Sequence, residues 1–319
     1  MKCEDQVMEW QKLGLVFHVE GNSELMNSHT SFPKPFLMED RIRIFFASRS
    51  TKIQGRIFYI DVDIDNPTKV IKVCEEPVLG LGELGTFDDC GITPDCVLEH
   101  NGKIYLYYHG WNVLQATPFR STVGLAISEN HGENFKRYSL APLFDRTNEE
   151  PIFSTNPYVM KEEEGKWHMW YMVVTKWLTI NGKLEGLHTI YYASSTDGIN
   201  WNRENVRCIE PNEELECIAN PCVIRENGVY KMWYCSRKAL DFRDGQNSYR
   251  MGYAESRDGK NWVRMDDRMQ FDVSNEGWDS LMVAYPAIID VKGSRYMFYN
   301  GNGFGKTGIG CAKLVKSEN

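Results

Sequence analysis

The sequence predicts an all-β chain folded as a five-bladed β-propeller, and three observations carry that reading. A strand–turn–strand unit recurs five times. Its opening prolines, Pro33, Pro94, Pro157, Pro221 and Pro286, are separated by 61, 63, 64 and 65 residues. Later in the units a tight turn recurs, in its clearest copies Ser195-Thr-Asp-Gly-Ile-Asn-Trp201 and Ser256-Arg-Asp-Gly-Lys-Asn-Trp262. A regular internal repeat of this length marks an array of equivalent supersecondary units, and four-stranded antiparallel units set radially make a propeller.

The fourth unit is the clearest. Asn220-Pro-Cys-Val-Ile leads into Asn227-Gly228 and then Val229-Tyr-Lys-Met-Trp-Tyr-Cys235. β-branched and aromatic residues on either side of Asn-Gly are a strong hairpin signal. The other units place Ile104-Tyr-Leu-Tyr-Tyr108, Trp167-His-Met-Trp-Tyr171, Arg295-Tyr-Met-Phe-Tyr299 and, in the most worn copy, Ile42-Arg-Ile-Phe-Phe46 at the same point. A third strand follows each hairpin, and the Ser-x-Asp-Gly-x-x-Trp turn leads into a fourth. In that turn Asp can accept from local N–H groups, Gly takes positive φ, and the aromatic fills the gap to the next sheet. The last unit lacks a fourth strand, while Glu9-Trp-Gln-Lys-Leu-Gly14 resembles the fourth strands elsewhere. The N-terminal strand is therefore expected to complete the last blade and remove two open edges. The chain reads as one domain over 1–319, with blades near 20–75, 76–144, 145–209, 210–270 and 271–315 plus 7–19.

Composition narrows the function. Hydrophobic residues make up 42% of the 319 residues and aromatics 13%, enough for a large core. A net charge of −8 argues against general nucleic-acid binding. No apolar run is long enough to span a bilayer, and the N-terminus has no apolar signal region, so the cytoplasm is the expected location. The nine cysteines are scattered with no C-x-x-C pair and read as small buried hydrophobes. No metal or other cofactor is expected, and no feature specifies an oligomeric state.

The topology puts the short, stereotyped turns on one rim. The other rim carries the long, varied loops between second and third strands and the segments leading into each first strand. Binding residues concentrate on variable loops held by a rigid scaffold, so the site is expected at the loop-rich mouth of the central channel. Mouth-side carboxylates are Asp88, Asp89, Asp95, Glu214, Glu216, Asp241, Asp244 and Asp279. From these, Asp89, Asp95, Glu216 and Asp279 are the candidate acid–base groups, since carboxyl groups held over one pocket can serve as general acid and general base. Asp88 and Asp279 both follow an aromatic residue, which equally fits a structural lead-in turn. Asp95 equally fits a buried structural role. Arg49, Lys176, Arg237, Arg243 and Arg250 place positive charge on the same rim, as needed to bind a carboxylate or phosphate group of a ligand. His29, His109 and His188 are candidate acid–base or ligand-binding groups. Trp111 is a candidate stacking platform for a ligand ring, as are Trp177 and Phe304. Asn156, Asn220 and Asn300 can hydrogen-bond hydroxyls, and Tyr285, before the last blade proline, joins this ligand-facing set.

The pattern x-Pro…Asn-Gly-x-Tyr-x-x-Tyr-Tyr followed by Ala-x-Ser-x-Asp-Gly-x-x-Trp resembles the five-bladed glycoside hydrolases of families 32, 43, 68, 117 and 130, over almost the whole chain. That resemblance implies a carbohydrate-active enzyme. The acids that family 43 carries beside its blade prolines fall here on Phe32, Asn156 and Ala219-Asn220, and the family 130 acid falls on Thr93. Asp95 stands in a Pro-Asp pair like that of the second blade of family 43. Glu216-Cys217 is similar to the Glu-Cys-Pro of family 32 without its proline. Trp278-Asp-Ser280 and Tyr296–Gly308 resemble uncharacterised propeller proteins of bacterial surface-polysaccharide gene sets, which implies a glycan context. Three functions fit: a glycoside hydrolase-like enzyme, a glycosyl-transferring enzyme of polysaccharide assembly, and a non-catalytic glycan-binding propeller.

Overall fold

The computed structural model describes residues 7–21, 23–243 and 245–317; residues 1–6, Asn22, Asp244 and 318–319 lie outside it. The chain begins with β1 (Met8–Phe17). The first blade is β2 (Ser28–Leu37), β3 (Arg41–Arg49), β4 (Gly55–Asp63) and β5 (Val70–Val73). The second is β6 (Gly91–His100), β7 (Lys103–Val113), β8 (Phe119–Ser128) and β9 (Lys136–Arg137). The third is β10 (Phe153–Lys161), β11 (Trp167–Ile180), β12 (Lys183–Ser195) and β13 (Asn202–Arg207). The fourth is β14 (Glu216–Glu226), β15 (Val229–Lys238), β16 (Arg250–Ser256) and β17 (Trp262–Arg264). A short β18 (Met269–Gln270) precedes β19 (Ala284–Val291), β20 (Ser294–Asn300) and β21 (Ile309–Ser317).

The first four sheets are antiparallel meanders in chain order, and the fifth has the order β18-β1-β21-β20-β19. The N-terminal strand thus closes the ring as the fourth strand of the last blade. Trp10 pairs with Leu314 and Lys12 with Ala312. The tiny β18 runs parallel to β1 on its outer side, a fifth strand that the repeat did not announce. Asn101-Gly102 and Asn227-Gly228 both sit at positive φ, the geometry that matches strand twist in two-residue hairpins. The core lies between blades. One example packs Trp170 and Tyr192 of the third blade against Val223, Met232 and Tyr234 of the fourth.

The Ser-x-Asp-Gly-x-x-Trp turns also fasten neighbouring blades. Asp197 Oδ1 accepts from the Ser195 hydroxyl and the N–H groups of Ile199 and Asn200. The Gly198 carbonyl accepts from the Tyr107 hydroxyl of the second blade at 2.8 Å, and the Gly259 carbonyl accepts from Trp170 Nε1 of the third at 2.7 Å. Partial burial pushes the Asp197 carboxyl up, but the hydrogen bonds from Asn200 and Ile199 outweigh it and hold the pKa at about 2. Because the folded pKa is depressed below the unfolded value of about 3.9, the associated stability is full above that value and is lost as pH falls toward 2. Asp197→Ala is expected to lower stability by roughly 0.5–3 kcal/mol at neutral pH and to flatten the acid limb of the stability–pH curve. Ligand binding by the folded protein should persist. Denaturant melts at pH 7 and pH 3 test this, and loss of binding in a normally stable variant would contradict it.

Candidate active site at the channel mouth

Each innermost strand breaks register at its proline. The shifts fall between Ser31 and Lys34, Pro94 and Cys96, Thr155 and Tyr158, Ala219 and Cys222, and Ala284 and Ala287. Such bulges bend a strand and re-aim side chains. In four blades the residue before the proline has positive φ: Phe32 (59°), Asn156 (50°), Asn220 (55°) and Tyr285 (59°). Asn tolerates this region, whereas for a bulky aromatic it is strained. Phe32 is held by an N–H donated to Asn300 Oδ1 at 2.8 Å, and its ring stacks on Tyr285 with centroids 4.0 Å apart. Two strained aromatics thus share the floor of the mouth.

Above that floor lies a two-lobed cavity. One lobe, about 400 Å³, is walled by Ile53, Trp111, Pro118, Phe119, His109 and Met172. The other, also about 400 Å³, carries His188, Asn220, Arg237, Glu185, Arg243 and Tyr285. Phe32, Arg49, Asn156 and Phe119 border both. Trp111 lies so close to Gly91 that a Cβ there would be 2.3 Å from the indole, which fixes the ring against the wall.

His109 and Asp95 form a dyad. The ring Nδ1 lies 2.9 and 3.0 Å from the two Asp95 oxygens. A carboxylate accepts, so Nδ1–H donates and Nε2 is the other, free nitrogen of a ring that lines the cavity. Asp95 is only 2% exposed, and Asn156 Nδ2 also donates to it at 3.1 Å. The Phe32 ring edges His109 at 5.5 Å. His188 is buried, with Nδ1 donating to the Ile218 carbonyl at 3.0 Å. Burial, then the Arg237 charge, push its pKa down to about 3, so it stays neutral. His29 stands on β2 but, against expectation, outside the lining of both lobes; burial and the charges of Arg49 and Lys306 hold its pKa down at about 4.

Neither Arg49 nor Arg237 has a carboxylate within 4 Å among the described residues. Arg237 lies 3.7 Å over the Phe242 ring and donates to the Lys238 carbonyl. By contrast Arg243 is paired with Glu185, a buried carboxylate of this lobe. Glu185 was not singled out in the sequence. It sits on the hairpin of β11 and β12, whose 14 and 13 residues carry it over the mouth, and only that length distinguishes it.

The remaining sequence candidates lie elsewhere. Asp279 accepts from Lys12 at 2.7 Å and from the Tyr299 hydroxyl at 3.0 Å. Asp88 accepts from Arg137 at 2.7 Å and Tyr108 at 2.9 Å. Glu150 does the same with Arg203 and Tyr171, and Asp266 with Arg264 and Tyr234. Four blades therefore repeat one brace, in which a second-strand tyrosine and a fourth-strand cation grip a carboxylate. Glu216 shares the fourth brace, accepting from both Arg264 terminal nitrogens at 2.8 and 2.9 Å. Asp89 is tied to the Gly85 N–H and Asn112. None of Asp88, Asp89, Glu216 and Asp279 lines the mouth cavity. Asn300 is fully buried beneath it, bonded to Phe32, Thr30 and Gly308. Arg250 pairs with Asp272, and Lys176 is exposed on β11, both outside the cavity lining. No group of three or more His, Cys, Asp or Glu among the described residues is placed to hold a metal ion, and no described helix is long and apolar enough to cross a membrane.

No family model matches the chain. Among solved structures, one described as a glycoside hydrolase superposes with a TM-score of 0.74 at 17% identity, over 99% of this chain and 97% of that one. A thermostable family-43 glycoside hydrolase gives 0.69 at 16% identity, over 92% and 90%. The fold is therefore a glycoside hydrolase-like propeller. Among curated proteins, the uncharacterized proteins Rv1502 and MT1551 of two Mycobacterium tuberculosis strains are each 35% identical over 309 residues, 96% of this chain and 99% of theirs. At that identity, sustained from end to end, the chain belongs to the Rv1502 protein family.

Proposed function

We propose that the protein is a carbohydrate-active enzyme acting on a glycan or sugar conjugate that carries an anionic group. His109 is its acid–base group and Asp95 the partner that holds the ring's tautomer. One observation carries this reading: two adjoining lobes of the mouth bring together His109, backed by the buried Asp95, and two arginines, Arg49 and Arg237, without carboxylate partners. A histidine backed by a buried carboxylate can take a proton from a hydroxyl or water and return it to a leaving group. Guanidinium groups without carboxylate partners in a recessed site suit carboxylate or phosphate. The glycoside hydrolase-like fold supports the substrate class.

The five residues before the blade prolines, Phe32, Thr93, Asn156, Asn220 and Tyr285, include no carboxylate. A histidine dyad therefore replaces the pair of acids expected for a glycosidase. The arginines favour a second reading, glycosyl transfer from a nucleotide sugar, whose diphosphate would meet Arg49 and Arg237.

Calorimetry with uronic acids, their glycosides and nucleotide sugars tests the proposal. Binding of an anionic sugar is expected, weakened at least about tenfold in Arg237→Ala, the loss of one charge-assisted contact. NMR of the anomeric protons then separates release of free sugar from formation of a new linkage. Equal affinity for neutral and anionic sugars would overturn the anionic assignment.

A further inference from the structure

The lobe that holds His109 is lined by an isoleucine where the backbone disfavours one. Ile53 lies in the loop between β3 and β4 with a φ of 62°, a region in which a β-branched side chain is strained and Gly or Asn is favoured. The loop is tied in that shape. The Ile53 N–H donates to the Ser50 carbonyl at 2.9 Å, and the Ser50 hydroxyl accepts from the Lys52 and Gln54 N–H groups at 3.3 and 3.2 Å. The Ile53 side chain is 67% exposed, so contacts within the protein do little to offset the strain. Strained residues of this kind cluster at active sites and ligand clamps. The β7–β8 hairpin adds Pro118 and Phe119 to the lining of the same lobe. Phe119 and its cross-strand neighbour Val113 are also exposed.

Charge is divided between the lobes. Among the described residues lining the His109 lobe, Arg49 is the only lysine, arginine, aspartate or glutamate. Glu185, Arg237 and Arg243 line the other lobe. The geometry points to an amphipathic substrate, in which an anionic sugar lies in the arginine lobe and is joined to an apolar alkyl or aryl aglycone resting against Ile53, Trp111 and Phe119. This rests on the reading of the mouth as the site for an anionic sugar. Arg49 borders both lobes, so it meets the anionic group at their junction. Ile53 and Phe119 then select for the apolar part. An apolar chain seated against them removes both surfaces from water, and exposed apolar side chains gathered at a recessed site mark such a contact. A ligand of hydroxyls alone would leave Ile53 strained with nothing apolar to cover.

Calorimetry on the full-length protein with two matched pairs tests this. One pair is hexyl and methyl glucuronide. The other is hexyl- and methylphosphonate, which carry the anion and the chain without a sugar. The glucuronide pair decides wherever glucuronides bind, and the phosphonate pair decides where they do not. The hexyl member is expected to bind at least about tenfold tighter, since each methylene removed from water is worth about fourfold. Ile53→Asn relieves the strained φ and so keeps the fold. It and Phe119→Ser are each expected to cut the hexyl-to-methyl ratio at least about threefold. Val263→Ser, at an exposed site on β17 outside both lobes, should leave the ratio unchanged. A smaller ratio in the deciding pair would overturn the inference, as would a ratio that Ile53→Asn and Phe119→Ser both leave intact or that Val263→Ser lowers equally. Failure of both hexyl compounds to bind would do the same. If only the phosphonates bind, with a gain that Ile53→Asn removes, the anionic-sugar reading fails and the apolar lobe stands. If glucuronides bind without a gain from the chain, the sugar reading stands and the aglycone fails.

Discussion

His109→Gln and Asp95→Asn are each expected to lower turnover by at least about 100-fold while sugar binding changes little. General acid–base catalysis contributes roughly 10²–10⁴, and each substitution removes it in a different way. Gln at position 109 keeps a polar side chain but cannot accept and release a proton. Asn at position 95 removes the charge and can donate to Nδ1, which would move the imidazole proton to Nε2, the wrong tautomer for a base. Asp95 also accepts from Asn156, a wall of the cavity, so the Asn variant will loosen that side chain as well. The His109 variant is the cleaner measurement, and calorimetry on both separates binding from chemistry. Turnover unchanged in His109→Gln, with the substrate still bound, would remove the dyad from the mechanism and leave a glycan-binding propeller.

Deleting residues 1–14 is expected to drive the protein into aggregates or lower its melting temperature sharply. The segment supplies most of the strand that pairs with β21, and with it Met8 and Trp10, buried at 7% and 6% exposure. It also supplies Lys12, the cation of the brace in the last blade, leaving the 2%-exposed Asp279 without its counter-ion. Removing one partner of a buried pair costs about 3–5 kcal/mol, and full burial of each large apolar side chain is worth about 1.5–3 kcal/mol. These losses rival the net stability of a domain, roughly 5–15 kcal/mol. The bared edge of β21 would in addition offer a template for pairing with other chains. Size-exclusion chromatography and thermal melts decide it; a monodisperse truncation melting at the wild-type temperature would show that closure is dispensable.

The comparison with the sequence is sharpest at the acids. Arg49, His109, Trp111, Asn156, His188, Asn220, Arg237 and Tyr285 line the mouth because strand topology alone puts second-to-third-strand loops and pre-proline residues there. Asp89, Glu216 and Asp279 follow the same topology onto the same rim, yet their carboxylates turn away. Asp279 is drawn to Lys12, 267 residues earlier, and Glu216 to Arg264, 48 residues later. Those partners lie on other strands, far away in the chain, and meet them only in the assembled fold. The recurrence of aromatic-Asp in Phe87-Asp88 and Trp278-Asp279 did carry the bracing role, since both carboxylates sit in the same repeated contact.

What the sequence by itself determined is the blade: its four-stranded meander, its hairpins, its Ser-x-Asp-Gly-x-x-Trp turns and the strand that closes the ring. Those features are set by local periodicity, turn chemistry and a repeat, and each can be read within one unit. Only the tertiary structure decided which charges face the axis, because that depends on which cation or hydroxyl from another strand captures each carboxylate first. It also decided the strained φ of Phe32 and Tyr285 and the pairing of His109 with Asp95. A bulge at each proline turns five separate strands inward at one level, and residues 14 apart on two strands of one blade meet Asn156 of the next.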